Sequence, residues 1–261
     1  MLCFEIVYSL NLLKKNLIEM EDTLLNEKQN LQNISLNSKY AAGVNKSMIL
    51  YSCNILSRFI KGGGGNILEL GPAEGVMTEH LVNLGETLTV VEGSAVFCES
   101  LSKRFPFIKV VHSLFEDYNP SEKFDTIVLG HVLEHVLDPV DILCRVKNLL
   151  TPKGLVFAAV PNSRSIHRQA AVIMDLLPYE EALNATDMHH GHRRVFNPES
   201  FRTAFINAGL RVNIFGGYWL KPLSNGQIES DWTSSMLDAF MQMGERYPDI
   251  AGEIYVLASL P

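Results

Sequence analysis

From residue 66 onward, short apolar runs alternate with stretches of helical spacing, and this alternation limits the possible folds more than any other feature. The runs are "NILEL" (66–70), "LTVVE" (88–92), "IKVVH" (108–112), "DTIVLG" (125–130) and "GLVFAAV" (154–160). Helical patterns lie between them at 74–84, 95–104 and 139–150. The runs are apolar on both faces, as strands are when helices cover both sides of a parallel sheet. Repeated strand–helix units predict an α/β domain with a doubly wound, mostly parallel sheet. With 47% hydrophobic residues in 261, the chain can bury a core of that size.

The rhythm breaks at 163–196, where a helical piece, "SIHRQAAVIMDLL", precedes a polar stretch, "NATDMHHGHRRVF". It resumes with "PESFRTAFINAG" and the strand "LRVNIFGGYWL", breaks again at 222–250, and closes on "GEIYVLAS". Connections this long in an α/β domain often carry function, so both breaks are expected to cover the functional edge of the sheet. Upstream, 1–35 reads as helical, and 40–61 places Ile49, Cys53, Leu56 and Ile60 on one helical face before the glycines at 62–65 stop it. The expected division is an N-terminal helical segment over 1–61, capping the site or forming a dimer face, and a main domain over 62–261.

The net charge of −7 and the absence of a basic stripe argue against nucleic acid as a partner. Four isolated cysteines without CxxC spacing fit free thiols in a reducing compartment, and so a cytoplasmic protein. "MLCFEIVYSLNLL" is apolar, but Glu5 interrupts it and no cleavage site follows, so export is not expected. Met20 could serve as an alternative start. No apolar run approaches the ~20 residues of a membrane span.

The first run leads into "ELGPAEG". A phosphate-binding GxxxxGK[ST] loop is excluded, because no Lys-Ser or Lys-Thr follows. A dinucleotide GxGxxG fingerprint is weakened by Ala73 and Val76 at its second and third glycine positions. What remains is Glu69, Gly71 and Gly75, with a tight turn and close ligand approach allowed by the glycines. Glu92 closes the next strand 21 residues after Gly71, where a carboxylate can accept both hydroxyls of a ribose. Loop and acid alone leave a methyltransferase and a dehydrogenase both open.

The block "FDTIVLGHVLEHVLDPVDILCRVKNLLTPKGLVFAAVPN" (124–162) separates them. Together with "LELGPAEG", "VVE" and "EIYVLA", it resembles the class I S-adenosylmethionine-dependent methyltransferases of small molecules, including the ubiquinone-type O-methyltransferases. The likeness is strong over about 66–162 and looser over 193–261, and Ala73 departs from the family's middle glycine. It implies a Rossmann-like sheet of seven strands, helices on both faces, with the last strand antiparallel. It implies S-adenosyl-L-methionine as cofactor, held by Glu69, Gly71, Gly75, Glu92, Gly93, Leu114, Phe115, Gly130 and His131. Glu69 would help hold the ligand's ammonium, Leu114 and Phe115 would flank its adenine, and Gly130 and His131 would lie by the transferable methyl. An Asn/Asp-Pro-Pro-aromatic motif, typical of nucleic-acid N-methylation, is replaced here by "GHVLEH".

"HVLEH" (131–135) also matches His-x-x-Glu-His, but it follows directly on a strand rather than lying within a helix, so a protease-type zinc site is not expected. Glu134 and His135 are expected to hold the strand-to-helix corner. In "DMHHGHRRVF", His189, His190 and His192 are candidate bases alongside His131. Arg193 and Arg194 could grip an anionic acceptor, with Tyr218 and Lys221 completing the pocket. A solvated loop, or a metal held by Asp187, His189 and His192, are the other readings of this cluster; the expectation is no metal. The favoured function is methyl transfer to a small-molecule hydroxyl, in specialised metabolism or surface-glycan synthesis. An N- or carboxyl-methyltransferase of a small anion, and a non-catalytic binding subunit, remain as alternatives.

Overall fold

A computed structural model describes residues 41–60 and 63–261. The helical expectation for 1–35 lies outside these residues. The sheet strands are β1 (Asn66–Leu70), β2 (Thr87–Glu92), β3 (Lys109–His112), β4 (Phe124–Gly130), β5 (Leu150–Pro161), β6 (Arg211–Tyr218) and β7 (Glu253–Ser259). They form one seven-stranded sheet in the order β3-β2-β1-β4-β5-β7-β6. β1 pairs parallel to both β2 and β4, and β7 alone runs antiparallel, between β5 and β6. The doubly wound sheet with its last strand reversed is therefore as the sequence predicts. Because chain direction across the sheet reverses between β1 and β4, the loops leaving those strands part and open a crevice at their carboxyl ends.

The helices are α1 (Gly43–Ser57), α2 (Thr78–Leu81), α3 (Ala95–Arg104), α4 (Pro139–Leu149), α5 (Ile166–Ile173), α6 (Ala185–His189), α7 (Pro198–Asn207), α8 (Asn225–Asp231) and α9 (Ser234–Arg246). Local chemistry starts several of them. Asp138 accepts from the amides of Val140 and Asp141 at 2.8 and 3.1 Å, with Pro139 in the first turn of α4. Asn197 and Ser200 form a reciprocal capping box at α7. The 74–84 stretch departs from expectation: most of it is turns, and only the four residues of α2 are helical.

Two apolar layers sandwich the sheet. One joins Leu68, Ile127, Leu129, Val156 and Val256 to α4 and α7. The other joins Ile67, Val90, Val128, Phe157 and Leu257 to α1, α3 and Met241 of α9. In α1, Cys53, Leu56 and the following Ile60 are buried as the periodicity predicts, with Ile49 partly so. Burying side chains such as Ile55 and Leu56 completely contributes about 1.5–3 kcal/mol each. Polar ties add to this seam. The Arg58 guanidinium is bidentate to Glu245 at 2.7 and 3.0 Å, and Glu229 accepts from the Val44 amide at 2.9 Å. Among the described residues no helix is long and apolar enough to cross a membrane, and Cys53, Cys98 and Cys144 are free thiols.

Candidate active site

The crevice is walled by backbone held in unusual conformations. Among the described residues four non-glycine residues have φ in the left-handed region, and three of them lie at this edge: Ala73 (47°), His131 (59°) and Trp219 (62°). Such positions store strain and concentrate at functional sites. Gly71, at φ 65°, could not gain a Cβ without meeting Val132 at 3.1 Å and Phe115 at 3.4 Å. Gly75, at φ 75°, would meet Leu101 at 2.7 Å. Ala73 explains why the family places glycine at its position: the loop needs a left-handed residue there. Ala73→Gly is therefore expected to stabilise the protein by about 0.5–1 kcal/mol, after the entropy glycine adds to the unfolded chain. Chemical denaturation measures this.

Glu92, at the end of β2, braces the loop from the other side. Its two carboxylate oxygens accept from the amides of Ser94 (2.8 Å) and Ala73 (3.2 Å). Burial raises its pKa, opposed by these backbone donors. Each oxygen keeps a second lone-pair site, which leaves room for the diol of a ribose. Glu69 is buried beneath the loop, accepts from the Thr78 hydroxyl at 2.7 Å, and is pushed up to about 8 by burial. A cationic group nearby would hold it ionised. Phe115 stands against the glycine loop, Leu114 is half-buried beside it, and Gly93 accepts at its carbonyl from the His112 ring at 3.1 Å, in the tautomer that donates there. Gly130 faces Met77, whose Cε lies 3.1 Å from the position a Cβ would take.

This cradle has the parts an S-adenosyl ligand needs: a tight loop, a buried acid at the end of β2 and an aromatic wall. Residues 45–213 match a methyltransferase-domain family. The chain belongs to that family. Two relatives named ubiquinone biosynthesis O-methyltransferase, from Pasteurella multocida and Actinobacillus pleuropneumoniae, are 28% and 29% identical over 184 and 171 residues. Those stretches cover 60% and 62% of this chain, and 74% and 72% of theirs. The N-methyltransferase NodS from Bradyrhizobium japonicum, solved with S-adenosyl-L-homocysteine, superposes with a TM-score of 0.61 over 90% of this chain and 99% of NodS. At 16% identity, that likeness shows the fold. This methyltransferase is thus an S-adenosyl-L-methionine-dependent enzyme, and the dehydrogenase and non-catalytic readings fall away.

Beside the cradle lies a buried network that the methyltransferase builds from the β4–α4 turn, the 163–196 connection and the first residue of β7. His131 follows β4, with Nδ1 3.3 Å from Glu134 Oε1 and 3.9 Å from Glu253 Oε2. Its Nε2 is buried without a partner among the described residues. Burial disfavours the imidazolium, but Glu134 and Glu253 outweigh burial, so the His131 pKa is raised. Glu134 is driven down to about 2: its full burial works against ionisation, and the His131 contact with the His135, His131 and His192 charges overcomes it. His135, under the same burial, is pushed down to about 4.

The three loop histidines separate. His192 turns inward, with its ring against His135 (4.8 Å between centroids) and Nδ1 3.4 Å from Asp187. His190 is half-buried between the rings of His189 and His192, and His189 is exposed at the end of α6. Asp187 pairs with Arg168 at 3.0 Å, both buried, and lies low, at about 2. Arg193 and Arg194 depart from the anion grip expected of them. The Arg193 side chain donates to the His135 carbonyl at 2.8 Å, and its amide to the Glu134 carbonyl. Arg194 donates to the carbonyls of Leu133, Val136 and Leu137 at 3.1, 2.5 and 2.8 Å. The reason is local: the turn between β4 and α4 leaves carbonyls without intrahelical partners, and two guanidiniums satisfy them. The corner is thus held by arginines on its carbonyls, while the Glu134 side chain faces His131.

The metal trio Asp187, His189 and His192 does not assemble, since His189 points to solvent. Glu134, His135 and His192 do bring one ligand atom each within 4.8 Å of one another, a donor set that could hold a divalent cation. Tyr218 is fully buried and stacked on Tyr51 at 5.8 Å, and Lys221 lies over the Trp219 ring at 4.8 Å. Glu253, Thr78 and the Arg168–Asp187 pair escaped the sequence reading. Only Glu253 left a signal, as an acid opening an otherwise apolar strand.

Proposed function

We propose that the enzyme methylates a hydroxyl of a small molecule and that His131 is the general base. The observation that carries this is the His131 ring itself. Two carboxylates face Nδ1, while Nε2 is buried without a partner at the edge of the sheet. Glu134 favours the tautomer with the proton on Nδ1, which leaves the Nε2 lone pair for an acceptor hydroxyl. S-adenosyl-L-methionine supplies a methyl group already activated by its sulfonium. The protein then has to align the acceptor oxygen, exclude water and take one proton.

Gly71, Gly75, Glu69 and Glu92 would hold the cofactor, with Leu114 and Phe115 beside its adenine. The inward face of 163–196, tied to the β4–α4 turn through His192 and Arg193, would cover the acceptor. The O-methyltransferase names of the relatives support oxygen as the atom methylated. Incubation with methyl-labelled cofactor and a panel of alcohols, phenols, amines and carboxylates tests this. Label is expected in ethers; label confined to amines or esters would refute the oxygen assignment.

A further inference from the structure

The acid at the start of the glycine loop is buried without a counter-charge, and this sets a condition on how the cofactor enters. Glu69 is 2% exposed on β1, between Val90 of β2 and Val128 of β4. Its Oε2 accepts from the Thr78 hydroxyl at 2.7 Å, and Thr78 is itself fully buried at the start of α2. Few titratable groups face it. Glu92, at the end of β2, is a second buried acid and opposes its ionisation. Cys53 of α1 lies close enough to interact with it, and burial and the Glu69 charge both keep that thiol protonated. Among the described residues no lysine, arginine or histidine is paired with Glu69.

Other buried acids of this protein are treated differently. Glu134 faces three histidines and Asp187 is paired with Arg168, and both lie low, at about 2. Glu69 has one neutral donor instead, and burial pushes it up to about 8. A lone hydroxyl does not repay the cost of burying a charge, so this carboxyl keeps its proton at neutral pH in the free protein. The amino-acid end of the cofactor brings the missing cation. The inference rests on the reading that Glu69 holds the cofactor's ammonium, and it does not depend on His131 as base. With Oε2 engaged by Thr78, Oε1 is left to carry the proton and then to meet the ammonium.

We propose that cofactor binding expels a proton from Glu69, and that Thr78 is the positioning residue that favours this exchange at neutral pH. The carboxyl and the ligand's ammonium become a carboxylate–ammonium pair, and one proton goes to solvent. The Thr78 hydroxyl donates more strongly to the carboxylate than to the neutral acid, so it lowers the cost of ionisation. The sign of the pH dependence follows. Affinity falls as pH drops, because the ligand has then to displace a proton.

S-adenosyl-L-homocysteine is the probe, because it carries the ammonium without the sulfonium charge that would act on His131. Its affinity is measured calorimetrically from pH 6 to 8.5. At pH 7.5 the titration is repeated in phosphate and in Tris, whose different ionisation enthalpies count the protons released. Wild type is expected to release more than half a proton per ligand, and to gain about tenfold in affinity from pH 6 to 7 before levelling above about 8. 5′-Methylthioadenosine, with the same nucleoside and thioether but no ammonium, is expected to release none. Glu69→Gln is expected to bind S-adenosyl-L-homocysteine at least tenfold more weakly at pH 8.5, without proton release. Thr78→Val is expected to lose several-fold in affinity at pH 7 and progressively less as pH rises, while Thr78→Ser behaves as wild type. No release in wild type, release that persists in Glu69→Gln, or release with 5′-methylthioadenosine overturns the proposal. An equal loss at every pH in Thr78→Val would make that residue structural and overturns its role. Unchanged affinity in Glu69→Gln refutes the ammonium reading itself, whereas weakened affinity in Glu69→Gln with no proton released by wild type keeps that reading and overturns the exchange.

Discussion

His131→Asn lowers kcat by about 10²–10⁴-fold, the usual contribution of a positioned base, while S-adenosyl-L-homocysteine binds with affinity little changed. Asparagine is the informative replacement because it tolerates the left-handed backbone that His131 adopts at φ 59°. The loss is then of chemistry and not of the turn. The pH dependence gives a second reading with a definite sign. A base must be neutral to act, and the neighbouring carboxylates raise the His131 pKa above its ordinary value. The rate of the wild-type enzyme therefore falls as pH drops through that raised pKa. Glu134→Gln removes the nearer of the two carboxylates that hold the imidazolium, so the acid limb moves to lower pH even as the rate declines. A limb that stays in place in Glu134→Gln would show that another group titrates.

Glu92→Ala weakens S-adenosyl-L-homocysteine binding by about 1.5–3 kcal/mol, the cost of a lost hydrogen bond to a charged partner, or roughly 10–150-fold. Calorimetric titration beside NAD measures it, with micromolar binding of the first and none of the second expected for wild type. The structure adds a complication with its own control. Glu92 also satisfies the amides of Ala73 and Ser94, so truncation leaves two buried donors unpaired and loosens the loop. Glu92→Gln keeps one acceptor oxygen and most of the shape. If Glu92 contacts the ribose, Gln weakens binding with only a small change in thermal stability. If its role is confined to the loop, affinity and stability fall together in Ala and recover together in Gln.

The sheet was legible because its signal is repeated and local. Five runs apolar on both faces, spaced by helical patterns, admit few arrangements other than parallel strands between helices. The cradle was legible for a related reason: a left-handed turn and an acid at the end of the next strand lie within about thirty residues of each other. The short helix α2 was overestimated because Gly75 and the turns around it compete with helical bonds, and apolar periodicity does not register that competition. The "HVLEH" stretch was placed correctly on a strand end. Its internal partnership of His131 with Glu134 depends on the side-chain directions that the left-handed φ of His131 sets.

The cationic loop shows the limit most plainly. His189, His190, His192, Arg193 and Arg194 are equivalent as letters, and the fold gives them different fates: one histidine in solvent, one at the network, and both arginines on backbone carbonyls. That sorting depends on which turn the loop docks against, 58 residues away for the Arg193–His135 contact. Glu253 is the converse case, an acid in a closing strand that gains meaning only when antiparallel pairing brings it to the end of β4. The sequence by itself determined the layered sheet, the glycine loop with its partner acid and the strand end that carries His131, because near-neighbour spacing encodes each of them. Only the tertiary structure decided which carboxylates face His131 and which cations are already matched, because those pairings join segments that share no local pattern.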